Sequence, residues 1–80
     1  MIPKINERKK IVGTKQAKKA VVNDEVDVVF IAKDADGYII DSLIMLCQEK
    51  NVEIYYVDTM KELGKACGID VRAASAALLK

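Results

Sequence analysis

The stretch Ile11-Val12-Gly13-Thr14-Lys15-Gln16-Ala17-Lys18-Lys19-Ala20 gathers residue types that suit an anion. A short apolar strand ends at Gly13, and a helix is expected to begin within a residue or two. The first N–H groups of a helix have no partner inside it, and the helix dipole puts partial positive charge at the same end. Gly13 permits close approach to the backbone, and Thr14 is placed to cap the helix or donate a hydrogen bond. Lys15, Lys18 and Lys19 add formal charge within the first turn and a half. These features together predict a phosphate site, with Gln16 able to present its amide to a base edge. The plain alternative is a helix start with a structural purpose only.

A second stretch, Leu63-Gly64-Lys65-Ala66-Cys67-Gly68-Ile69-Asp70-Val71-Arg72-Ala73-Ala74-Ser75, stops a helix at Gly68 and continues with apolar residues where a loop is expected. At least one of Ile69 and Val71 is expected to plug the core. An exposed one could pack on a splayed-out nucleotide, with Arg72 stacking on it or pairing with a phosphate.

Other chemistry fails on spacing or on missing residues. The chain has no histidine, which removes the commonest general base and the commonest zinc ligand. Gly64-Lys65 is shaped like the end of a phosphate-binding loop, but no glycine stands five residues earlier and Ala66 replaces the Ser/Thr. Asp34-Ala35-Asp36-Gly37 resembles a calcium loop. With Gly37 as its sixth residue, the first and twelfth would be Ala32 and Leu43, which cannot ligate. A polar turn with Asp36 near a helix start is the expected reading. Ser42 and Ser75 lack a histidine partner for a serine triad. Cys47 and Cys67 each fall in an apolar periodic segment and read as small core residues. No enzymatic activity, metal or cofactor is expected.

Positioning these residues requires alternating strands and helices. Strands are expected at Ile11-Val12, Val26 to Ala32 and Val52 to Val57, with Ala73 to Leu79 a weaker candidate whose alanines also suit a helix. The nearly continuous apolar run of Val26 to Ala32 suits a central strand covered on both faces. A helix over Thr14 to Val22 would bury Ala17, Ala20 and Val21. Ile40, Leu43, Ile44 and Cys47 mark the buried stripe of a long helix ending near Lys50-Asn51. Thr59-Met60-Lys61-Glu62 fits a capping box, Met60, Leu63 and Cys67 the inward stripe behind it, and Gly68 its C′ position. The expected fold is α/β, a three-layer α/β/α sandwich around a mixed, mostly buried four-stranded sheet.

With 80 residues, the whole chain, 1–80, is expected to form a single domain. No run reaches the roughly 18 apolar residues of a membrane span, and no signal-peptide pattern opens the sequence, so a cytoplasmic, membrane-free protein is expected. The net charge of +1 conceals an asymmetry. Residues 1–22 carry seven Lys/Arg against one acid, residues 23–58 two against nine, and residues 59–80 four against two, giving +6, −7 and +2. Such a distribution predicts one positive face on an acidic body, the local field that steers a polyanion. A lysine-rich solvated surface is the bland counterpart.

Gly13-Thr14-Lys15-Gln16-x-x-Lys19-Ala20, Val28 to Asp36, and Leu63 to Gly68 follow in an order and spacing that resemble the ribosomal-protein family L-seven-Ae / L-thirty-e. The resemblance spans residues 8–79 and points in particular to small bacterial members described as ribosome-associated. It implies an RNA-binding domain for kink-turns, RNA helices bent sharply at a bulge beside tandem sheared G·A pairs. It implies that Gly13, Thr14, Lys15, Gln16 and Lys19 grip the G·A pairs and nearby phosphates. It assigns Asp36 and Ile40 to the pocket for bulged nucleotides, and Ile69, Asp70, Val71, Arg72, Ala73 and Ala74 to the loop over the extruded base. Many members carry Asn-Glu in place of Lys15-Gln16, although Lys-Gln also occurs. Met60 stands where several have a lysine. The expected partner is structured RNA, ribosomal or other non-coding, met as a monomer and with the ribosome itself as a further partner. The competing expectation is a protein-interaction module of the ribosome or an RNA-processing complex, with the acidic middle segment as its working face.

Overall fold

A computed structural model of the protein describes residues 9–80. Along the chain run β1 (Lys10–Val12), α1 (Thr14–Val22), β2 (Val26–Ala32), α2 (Gly37–Lys50), β3 (Glu53–Val57), α3 (Met60–Ala66) and β4 (Ser75–Leu79). The sheet order is β1-β4-β2-β3, with β2 parallel to β3 and β4 antiparallel to both β1 and β2. This arrangement has one consequence for function. The carboxyl ends of β1, β2 and β3, the starts of all three helices and the beginning of β4 lie at one end of the sheet.

Helices α1 and α2 cover one face, burying Ala17, Ala20, Val21, Ile40, Leu43 and Cys47 against Val29, Ile31 and Ala77. Helix α3 covers the other, where Leu63 and Cys67 meet Phe30, Ala32, Val57, Ala76 and Leu78. The molecule is therefore the expected three-layer sandwich. Val29, Phe30, Ile31 and Ala32 have no solvent exposure, which explains why β2 lacks the polar alternation of a one-sided strand. Its exposed polar residue, Asp27, falls where the β2–β4 register shifts between Val26 and Val28. Burying Phe30 stabilises the fold by about 1.5–3 kcal/mol.

Strand β4 begins at Ser75, two residues later than the alanine run suggested. Ala73 and Ala74 belong to the preceding loop. The alanines of β4 are small because the strand lies between helices: Ala77 packs with α1 and α2, Ala76 with α3. Small side chains let both layers approach one backbone. At seven residues, α3 is too short to persist alone and depends on its ends and its buried face. Thr59 Oγ1 accepts the Glu62 N–H at 3.0 Å, half of the expected capping box. Gly68, at φ 76°, closes the helix: its N–H donates to Lys65 O and that of Ile69 to Gly64 O, the two bonds of a Schellman motif. Among the described residues, no helix is long and apolar enough to cross a membrane.

Candidate nucleic-acid interface

Gly13 is the N-cap of α1, with φ 114°, a conformation that L side chains rarely adopt. Its N–H donates to the Ser75 carbonyl at 3.0 Å, and its own carbonyl accepts the Ala17 N–H at 2.9 Å. The start of α1 is thereby pinned to the start of β4. Thr14 is the first helical residue rather than a cap, and its hydroxyl lies 2.7 Å from that of Ser75, one group donating to the other. No side chain caps α1, and its first turn contains no acid. The first-turn N–H groups and the dipole thus face outward without a competing carboxylate.

Gln16 folds back over this opening. Its Oε1 lies where a Cβ on Gly13 would come within 2.8 Å, an approach the flexible amide could relieve by moving, so it is the φ of 114° that favours glycine here. Lys15 and Lys19 are exposed and Lys18 half-buried, while Ala17, Ala20 and Val21 face the core. None of the three lysines has an ion-pair partner among the described residues.

The β2–α2 turn forms the neighbouring wall. Asp36 caps α2 by accepting the Tyr38 N–H at 3.0 Å, the polar-turn role expected of it. Asp34, which the sequence offered only as part of that turn, accepts the Met60 N–H at 2.7 Å and so caps α3 from another loop. Lys33 donates its N–H to Val57 O at 2.7 Å, and its ammonium lies 3.4 Å from Asp58. That pair is exposed and worth little in stability. It does, with the two caps, engage Asp34, Asp36 and Asp58, while Asp70 stays exposed in the α3–β4 loop. Ile40 is 7% exposed and packed among Leu43 and Cys47, as the helical stripe expects, so it backs the turn while Asp36 faces solvent.

The third wall is the α3–β4 loop. Ala73 N–H bonds Met60 O at 3.1 Å, and Ala32 N–H bonds Ala74 O at 3.0 Å, tying the loop to α3 and β2. Gly64 holds it close, since a Cβ there would run into the Val71 carbonyl. This explains Gly64 without any phosphate-binding loop. Ile69 is half-buried against the core, the plug expected of one of the two, and Val71 is 68% exposed. Asp70 and Arg72 are exposed. Ala73 is buried and Ala74 half-buried, so their side chains support the loop from beneath.

The sequence reading missed three residues that position the site: Ser75, Asp34 and Gly64. Their signals were weak, since each looks ordinary until its partner in another segment is known. At the far end of the sheet stand Asp24, Glu25 and Glu53 together with Lys9, Lys50 and Lys80, Lys50 pairing with Asp24 at 3.1 Å, so the charge asymmetry along the sequence does not become a simple separation in space. Cys47 and Cys67 are unpaired, on opposite faces of the sheet. Burial pushes both thiols up, with Lys10 partly offsetting this at Cys67. Among the described residues no group of three His, Cys, Asp or Glu side chains could hold a metal ion.

This α/β/α sandwich is an architecture shared with known proteins. A family model described as ribosomal protein L7Ae/L30e/S12e/Gadd45 matches residues 2–80, and the chain belongs to that family. It is 54% identical over 69 residues to an RNA-binding protein of Caldanaerobacter subterraneus subsp. tengcongensis, covering 86% of this chain and 84% of that one. It is 44% identical over 70 residues to the RNA-binding protein YbxF of Geobacillus stearothermophilus, covering 88% and 85%. Among solved structures, a 15.5kD RNA binding protein of Giardia lamblia superposes with a TM-score of 0.84 at 30% identity. That match covers 89% of this chain, which spans 60% of the Giardia protein's length.

Proposed function

We propose that the protein is a non-enzymatic RNA-binding domain that recognises kink-turn RNA and stabilises its bent form. The observation that carries this reading is the start of α1: uncapped, free of acids, flanked by Lys15, Lys18 and Lys19, and pinned to Ser75 beside the 69–74 loop. Relatives at 44% to 54% identity are named as RNA-binding proteins, in keeping with it.

In this mechanism the first-turn N–H groups and the lysines hold phosphates, setting affinity and its dependence on salt. Gln16, exposed beside Gly13, reads the edge of a sheared G·A pair. Val71 and Arg72 cover a nucleotide extruded at the bulge, and Asp36 accepts hydrogen bonds from its edge. The site is assembled before RNA arrives, its three loops tied to one another by backbone bonds. It therefore binds the kinked conformer in preference to straighter ones and draws the population toward it. The same reading places the protein in the cytoplasm, acting as a monomer on ribosomal or other structured RNA.

A hairpin carrying the G·A motif, labelled at both ends for energy transfer, tests this directly. Protein should bring the ends together without added divalent cation. Binding with no change in transfer would refute stabilisation of the bend.

A further inference from the structure

Tyr38, the second residue of α2, is 92% exposed, more than any other large apolar side chain described; Val71 and Met45 follow at 68%. The backbone beneath it is fixed. Its N–H is held by Asp36 Oδ1 at 3.0 Å, and the next N–H, of Ile39, bonds Asp36 O at 2.9 Å. Ile39 is itself 49% exposed, extending the apolar surface beside the ring. The ring is thus presented from a capped helix rather than from a loose loop. It stands at the sheet end that also carries the α1 start, Lys33, Val71 and Arg72. Phe30 and Tyr55 pack against each other, and of the two remaining rings Tyr38 is 92% exposed and Tyr56, on β3, 48%.

We propose that Tyr38 is a stacking platform for an unpaired nucleobase of the bound RNA. The inference rests on the RNA-binding reading above and adds a contact outside the α1 start and the 69–74 loop. A nucleobase suits the place because it brings a flat π-face together with phosphates, and the lysines at the start of α1, unpaired among the described residues, lie at the same end of the sheet. Stacking of this kind tolerates any base, so Tyr38 adds affinity for an extruded nucleotide without selecting its identity.

The test compares the full chain with its Tyr38→Phe and Tyr38→Ala variants on three hairpins: the bulged G·A hairpin, the same with an abasic bulge, and one with Watson–Crick pairs replacing the G·A pairs. Tyr38→Ala should bind the bulged hairpin roughly tenfold more weakly, within the range of base–aromatic stacking, and its preference for it over the abasic form should shrink by the same factor. Tyr38→Phe should retain that preference. The chain has no tryptophan and three tyrosines, so emission reports directly on the rings. Quenching by the bulged hairpin beyond that by the abasic one should occur in the wild type and vanish in Tyr38→Phe. Unchanged base-over-abasic preference in Tyr38→Ala, with no excess quenching in the wild type, would overturn the proposal and leave Tyr38 to a protein partner. Equal wild-type binding to the G·A and Watson–Crick hairpins would instead defeat the kink-turn reading, and the base-against-abasic comparison would still decide for or against stacking.

Discussion

The Thr14 hydroxyl lies 2.7 Å from that of Ser75, a fully buried residue 61 positions further along the chain. One residue opens the helix that carries the lysines; the other opens the strand that follows the apolar loop. With the Gly13 N–H on the Ser75 carbonyl, the bond fixes two walls of the site to each other. Ser75→Ala and Thr14→Val should each lower stability by about 1 kcal/mol. In the double variant the losses should fall short of their sum, because both remove the same bond. Urea unfolding of the four proteins checks this. Strict additivity would show that the hydroxyls do not depend on each other.

Gly64 offers a test in which two effects oppose. Alanine in place of a helical glycine ordinarily stabilises by about 1 kcal/mol. Here the added Cβ would collide with the Val71 carbonyl, and backbone cannot swing aside as a side chain can. Gly64→Ala should therefore destabilise by about 1–3 kcal/mol and displace the 69–74 loop. Thermal unfolding gives the sign. A stabilised variant would mean that the loop does not pack on α3 at this point.

Most of the architecture could be read from local pattern. The periodicity of Ala17, Ala20 and Val21, the unbroken apolar run of β2 and the Thr59 cap each act within a few residues, where sequence and geometry are directly linked. The lysines and Gln16 were legible for the same reason, since a helix start displays its own first turn. What escaped depends on distant partners. Asp34 looks like a turn residue until Met60 is beside it, and Ser75 looks like a strand residue until Thr14 is. Ile40 was legible as a core residue, because its place in the helical stripe is itself a local pattern.

The two thiols give a pH dependence of known sign. Burial raises both above their ordinary value of 9.0, so the folded state keeps protons that the unfolded chain releases. Stability from this source is complete below the unfolded value, and it is lost as pH rises through the folded ones. Urea midpoints should therefore fall as pH rises above about 9. The decline should be shallower in the Cys47→Ala and Cys67→Ala variants. Identical profiles in all three proteins would show that the thiols stay protonated in neither state or both.

Gln16 and Lys19 should separate base reading from phosphate binding. Gln16→Ala should weaken binding to the kinked hairpin by about 1–3 kcal/mol and leave a plain duplex little changed. Lys19→Glu should weaken both RNAs and lower the slope of log affinity against log salt by about one. Equal losses on both RNAs for Gln16→Ala would remove its reading role. An unaltered slope for Lys19→Glu would place that lysine away from phosphate.

The central claim, that this site selects a bent G·A-paired RNA, is tested most directly by a salt-series titration. One hairpin carries a bulge beside tandem G·A pairs, and the other has Watson–Crick pairs in their place. The account predicts strong preference for the first hairpin, persisting at physiological salt. Equal binding to both hairpins, vanishing as salt rises, would contradict it and leave only a basic surface.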